Sequence, residues 1–411
     1  MAELTNVLEA HEHSLQTDFG AAEALILDAA PLMTAEPGAP ALEPMRATLA
    51  AGQGPLHSAL MAALGIHLLH LEHGEAALDL LHKSLALAED EGNDKLIANT
   101  HLSLGQWHRW TCQADAAAKH LDRGMVAAKR TGEPGPVILG HLNRGALFLR
   151  MGEVRQAKLA FEDALTLSRR LGLVAMEGMS RNARGKVLMR EGRLYEAYAD
   201  LSAALAVADG HVTGMAQCHR EHAEYFLHVP DHDQARTYAS AAVRYFVEAE
   251  QQRSAAECKL IIAICDIEYG NLTSGAEIAH SVLHTLSPGW SRGDLQFRSS
   301  QAFADMLLGN VEHLQGNLAA ACRCYGNALD KATQLLGPRR ESLIRFFLSL
   351  ARFQSKKGDA SGILAAARPV FACERRAGER LARWFDGEPW QPLAAQGPYA
   401  LRLLNRMVAS V

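Results

Sequence analysis

Nineteen histidines make metal chemistry the first possibility to test. His67, His70 and His73 recur at three-residue steps, His280 and His284 at four, and His219, His222, His228 and His232 lie among Glu221, Glu224, Asp231 and Asp233. Two histidines at i and i+4 of a helix can share one metal ion, as in H-E-x-x-H. That motif is missing and no third ligand is fixed by spacing, so the expectation is no metal and no cofactor. Nucleophile and phosphate chemistry leave no mark either. The sequence has no G-x-S-x-G elbow, no G-x-x-x-x-G-K-[ST] loop, and no pair of acids set apart from charged helix surfaces. The seven cysteines, Cys112, Cys218, Cys258, Cys265, Cys322, Cys324 and Cys373, form an odd and scattered set that fits reduced thiols in a cytoplasm. The chain reads as non-enzymatic, which leaves binding as its task.

The elements that must position any binding residue follow a repeat. Leu104-Gly105, Arg144-Gly145 and Arg184-Gly185 stand 40 residues apart; twelve residues after each glycine comes Ala117, Ala157 or Ala197, and four further on Leu121, Phe161 or Leu201. Gly92, Gly132 and Gly172 recur at the same interval, where a helical apolar pattern ends and a C-terminal cap glycine is expected. One unit is helix, tight turn, helix, turn. A helix pair cannot bury its apolar stripe alone, so such units must stack into a solenoid. Looser copies follow Leu64-Gly65 with Ala77 and Leu81, Ala223 with Ala235, Ala239 and Ala242, and Ala263 with Gly275 and Ala279. Two more follow Leu308-Gly309 with Ala321, Tyr325 and Ala328, and Gly337-Pro338 with Ala351 and Gly358. Abundant Ala and Leu with few β-branched runs predict an all-α protein.

The expected organisation has capping helices and a Pro-rich loop over 1–50 and repeats one to six over 51–286. An interruption at Ser287-Pro288-Gly289-Trp290-Ser291 opens repeats seven and eight over 287–380, and a loop and capping helix fill 381–411. Apolar residues at 48% and charged residues at 21% suit a cored protein in water. No apolar run reaches the roughly 18 residues of a membrane helix, and Met1-Ala2-Glu3-Leu4 does not open a secretory signal, so no membrane contact and a cytoplasmic location are expected. The net charge of −5 divides unevenly: 1–95 carries a net −12 and 339–383 a net +7. Opposed ends predict weak, salt-sensitive self-association of a head-to-tail kind. Nucleic acid is disfavoured as a partner, because the cations of 339–383 are interrupted by acids and apolar positions.

These marks resemble the tetratricopeptide repeat (TPR). That family has a Leu-Gly or Ala-Gly pair in its first helix, matched by Leu64-Gly65, Leu104-Gly105 and Leu308-Gly309, and an aromatic three residues later, matched by Phe148. Its small residues in the second helix are matched by Ala77, Ala117, Ala157, Ala197 and Ala321, then by Ala164, Ala204 and Ala328; they let antiparallel helices approach closely. The resemblance covers about 55–380. This unit is 40 residues long rather than the usual 34 and lacks its closing proline, which is similar to sensor domains of bacterial transcription regulators and peptide-sensing regulators. The fold implied is a right-handed superhelical TPR-like α-solenoid of about eight helix pairs. Eight repeats in that family approach one superhelical turn, which implies a groove nearly closed around its ligand.

The same resemblance implies a concave groove lined by the first helix of each pair. Carried over by register, its wall is Gln106, Arg109 and Trp110, then Asn143 and Arg150, then Asn182, Lys186 and Arg190, then Arg220, Glu224 and His228. Amides can pair with a peptide backbone, and Arg or Lys can hold a carboxylate or phosphate. Trp110 could stack on a ligand, while His108 occupies the packed position of Leu68, Phe148 and Leu188. The function implied is a peptide- or protein-binding scaffold without catalysis. The alternative is a ligand-sensing regulator that works by rearranging its superhelix. Some peptide-regulated relatives act as phosphatases through an added helical bundle, for which 1–50 is too short.

Overall fold

The computed structural model describes residues 42–355 except 52, 53, 55, 209, 230, 288–294 and 333–337, with a few positions before residue 42. The expected C-terminal cap, the second helix of repeat eight, most of the N-terminal cap and most of the interruption after Ser287 lie outside the described residues.

Helix α1 spans Leu42–Ala51. Seven pairs follow: α2 His57–His70 with α3 Gly74–Glu91, α4 Asp94–Trp110 with α5 Ala114–Thr131, α6 Pro134–Met151 with α7 Val154–Arg170, and α8 Val174–Arg190 with α9 Leu194–Val207. Then come α10 Val212–His228 with α11 His232–Glu248, α12 Gln252–Glu268 with α13 Leu272–Leu286, and α14 Leu295–Leu314 with α15 Leu318–Ala332. The last described helix, α16 Pro338–Gln354, starts at its proline, where a missing N–H costs nothing. All regular structure among the described residues is helical.

Local sequence explains several boundaries. In α5 the buried positions Ala117, Leu121, Gly124, Met125 and Ala128 form one helical stripe, and the helix stops at Gly132 with φ 71°. Asn93 starts α4 by accepting the Leu96 N–H at 3.1 Å, and Asp231 starts α11 by accepting that of Gln234 at 3.1 Å. The pairing register is set by side-chain volume. A Cβ built on Gly65, Gly105, Gly145, Gly185 or Gly309 would come closer than 3.0 Å to Leu81, Leu121, Phe161, Leu201 or Tyr325 respectively, each sixteen residues further on. Glycine lets the second helix of the pair lie against the first, and the large residue fills the space so made. The alanines of the resemblance, Ala77, Ala117, Ala157, Ala197 and Ala321, are all fully buried at these crossings.

The curvature follows from which helices touch. Each first helix contacts the first helix of the next pair, from α2 with α4 through to α14 with α16, whereas successive second helices make no comparable contact. A curved stack is shorter on its inside, so α2, α4, α6, α8, α10, α12 and α14 form the inner wall.

The curvature is tighter than the family pattern implied. The turn between α2 and α3 already touches the start of α12, 181 residues away in the sequence, through Glu72 and the Arg253 amide. Closure falls between pairs one and six rather than across eight. A clasp of ion pairs and helix capping joins the two at that point.

Candidate binding site on the inner wall

The turn inside six of the seven described pairs holds one residue in the left-handed backbone region. In pairs three and four it is Gly152 (φ 84°) and Gly192 (φ 73°), but in pairs one and two the equivalent residues are Glu72 (φ 64°) and Cys112 (φ 63°). Glu250, in the turn leading to α12, is also at φ 55°. A non-glycine residue there costs about 1–2 kcal/mol. Glu72 and Cys112 carry inner-wall contacts that a glycine could not make.

Glu72 is 8% exposed and caps α12 from across the superhelix. Its carboxylate accepts from the N–H of Arg253 at 2.6 Å and from the N–H and Oγ of Ser254 at 3.3 Å. Those are the second and third amides of α12, the orphan donors an N-cap side chain normally satisfies, and Gln251 at the cap position offers no side-chain bond. Burial pushes the Glu72 carboxyl above its ordinary range, against Arg253 and the two amides. Arg253 lies 3.5 Å from Glu72 and 3.1 Å from Glu257, and its guanidinium sits 5.3 Å over the Trp110 ring. Trp110 therefore already stacks on a cation of this chain.

From there an ion-pair line crosses the wall. Glu257 also meets Arg220 at 3.5 Å, Arg220 meets Glu221 at 2.8 Å, and Glu221 meets Lys186 at 2.6 Å. Burial pushes Glu221 upward, but Lys186 and Arg220 together hold its carboxyl below the ordinary range. Glu224 adds negative charge beside Arg220. Arg190 donates to the Leu149 carbonyl at 3.0 Å, and Arg150 touches the Cys112 thiol.

The structure thus brings Arg109, Trp110, Arg150, Lys186, Arg220 and Glu224 into one electrostatic neighbourhood, while Arg190 is held by the Leu149 carbonyl. Asn182 is 7% exposed, and its amide oxygen has no hydrogen-bond partner. Gln106 and Asn143 are part-buried on α4 and α6. Sequence reasoning missed Glu72, Cys112, Glu221, Glu257 and Arg253. One signal was available: Glu72 and Cys112 replace glycine at the register of Gly152 and Gly192.

The histidines separate into packing groups. His67 is buried with both ring nitrogens unpaired, and burial lowers its pKa. His219 and His222 stack on Tyr245 and Tyr238, while His280 and His284 are exposed on α13. A cluster that spacing did not show joins α3, α4 and α5: the Nδ1 atoms of His101 and His120 are 2.9 Å apart, His108 stacks on His120, and His82 stands edge-on to it. His108, half-buried, also bonds Gln113 at 3.0 Å. Among the described residues no three His, Cys, Asp or Glu are placed to hold a metal ion. No described helix is long and apolar enough to cross a membrane.

This is a TPR-like α-solenoid with a charged, tightly closed inner wall. A Rap protein complexed with competence and sporulation factor matches 92% of this chain and 99% of its own at 12% identity, with a TM-score of 0.60. Aspartyl phosphate phosphatase F from Bacillus subtilis matches 80% and 94% at 12% identity and a TM-score of 0.49, and the apo quorum sensor NprR from B. thuringiensis 75% and 86% at 13% and 0.48. No protein-family model and no curated protein matches the chain. At these identities the likeness concerns the fold.

Proposed function

We propose that this chain is a non-catalytic binding protein that takes a peptide, or a segment of a partner protein, onto the inner wall of α4, α6, α8, α10 and α12. The carrying observation is the wall itself, where guanidinium groups outnumber carboxylates around Arg109 and the buried Asn182 amide oxygen is unpaired. A peptide backbone supplies N–H donors for that oxygen, and its acidic groups supply the missing charge. The complex of the Rap protein with competence and sporulation factor gives a precedent for ligand capture in this fold.

The Glu72 clasp favours a sensor over a rigid scaffold. A ligand entering a wall that already touches itself must displace the chain's own contacts, so uptake and superhelix opening are coupled. Selection of random dodecapeptides on the immobilised full chain tests the binding, and small-angle scattering with an enriched peptide tests the coupling. We expect enrichment and a changed radius of gyration. Enrichment with no change of radius would return the chain to the scaffold class, and no enrichment would remove peptide binding.

Cytoplasmic residence, the four-part division of the chain and weak head-to-tail association belong to the same proposal. Association should loosen as salt shortens the Debye length to about 8 Å and below. Sedimentation velocity at low and high salt checks it, and a monomer at both removes it.

A further inference from the structure

We infer that Arg109, with Arg150 beside it, is an anion subsite of the inner wall, built to receive a carboxylate of the bound peptide. The inference rests on the binding role proposed above and names the chemistry that role requires.

The Arg109 side chain, part-buried at the end of α4, makes no ion pair or hydrogen bond to any described residue, and its Nε is buried and unpartnered. Buried guanidinium groups are ordinarily paired, because a desolvated charge without a partner is expensive. The neighbours make this one worse. Arg150, Arg253 and Arg220 all repel it, and the carboxylate that acts on it is Glu257. Glu257 is already engaged by Arg253 at 3.1 Å and Arg220 at 3.5 Å. Burial, reinforced by those three guanidiniums, pushes Arg109 down to about 9. Arginine does not give up its proton in proteins, so the guanidinium stays charged among its like-charged neighbours, and an anion would relieve that repulsion. Arg150 makes no ion pair with any described residue either; its polar contact is the Cys112 thiol.

A structural role would have left these two arginines with acids, as Asp200 serves Arg184 at 2.6 Å and Arg181 at 3.3 Å one pair further on. Among the described residues the wall pairs Lys186, Arg220 and Arg253 with carboxylates and leaves Arg109 and Arg150 without one. A planar carboxylate matches a guanidinium fork in two parallel hydrogen bonds. Aspartate, glutamate or a free C-terminus of a peptide would bring it together with backbone amides for Asn182.

The test has two arms on the full chain. In the first, thermal melting is followed with glutarate, with neutral glutaramide and with inorganic phosphate, for the parent, Arg109→Gln and Arg150→Gln. Arg109→Gln should melt higher than the parent without ligand, because a repelled charge is gone. Glutarate should raise the melting temperature of the parent and not of Arg109→Gln, and glutaramide should raise neither. An Arg109→Gln variant that melts lower and still responds to glutarate overturns the inference, as does a response to phosphate alone. In the second arm, dodecapeptides enriched on the parent are remade with Asp→Asn, Glu→Gln or an amidated C-terminus. One of these changes should weaken binding about tenfold to the parent and leave binding to Arg109→Gln unaltered. Enriched peptides indifferent to every such change overturn the anion subsite while the binding role stands. Absent enrichment removes the binding role, with the glutarate response still deciding the subsite.

Discussion

Cys112 holds a backbone conformation that its counterparts Gly152 and Gly192 adopt freely. Cys112→Gly should therefore stabilise the fold by about 1 kcal/mol, seen as a higher melting temperature; an unchanged or lower one would show that its contact with Arg150 outweighs the strain. Two other glycines separate steric from backbone causes. Gly145 faces Phe161 across the crossing of α6 and α7, whereas Gly132 has open space and φ 71°. Gly145→Ala should cost about 1–3 kcal/mol through overpacking. Gly132→Ala should cost about 1 kcal/mol, and Gly132→Asn less, since asparagine tolerates the left-handed region. Equal losses for alanine and asparagine at 132 would contradict the cap. The glycines were legible in the sequence because each acts within one unit and recurs with it. Glu72 was not, because the amides it caps lie 181 residues away.

At the scale of elements, cations on neighbouring inner helices differ in what they leave behind when removed. Lys186 on α8 pairs with Glu221 on α10, which is 1% exposed, so Lys186→Ala strands a buried carboxylate on Arg220 alone and should cost about 1–3 kcal/mol. Arg150→Ala breaks no ion pair and should stay within about 0.5 kcal/mol. Chemical denaturation of both variants checks the contrast, and equal losses would refute the assignment. Register alone placed both residues on the wall as equivalents; the acids that distinguish them belong to other helices. The histidines joining α3, α4 and α5 give a pH signature. Burial, then repulsion from His101, His108 and His82, holds His120 down to about 4, and burial lowers His101 and His108 as well. The unfolded chain takes up these protons near 6.5, so stability is full above that pH and falls as pH drops toward about 4. Melting curves between pH 7.5 and pH 4.5, roughly the range of ordinary histidine titration, should show this fall, and His120→Gln should flatten it. A parallel slope in the variant would contradict the cluster's role.

For the whole molecule, the closure between the first and sixth pairs is its most distinctive property, and one side chain reports on it. Glu72→Gly relieves the φ of 64° and removes the carboxylate that caps α12. Helicity should persist while the radius of gyration rises, and an unchanged radius would mean that the clasp is not what closes the superhelix. The solenoid class was legible because its period recurs along the chain, but its tightness depends on contacts with no period. The central claim is that the inner wall binds a peptide. Photo-crosslinking of an enriched dodecapeptide carrying a benzophenone side chain, mapped by mass spectrometry, tests it most directly. Adducts on the inner helices at Trp110, Asn143 and Asn182 and their neighbours are predicted; adducts confined to the outer helices α5, α7 and α9 would contradict it.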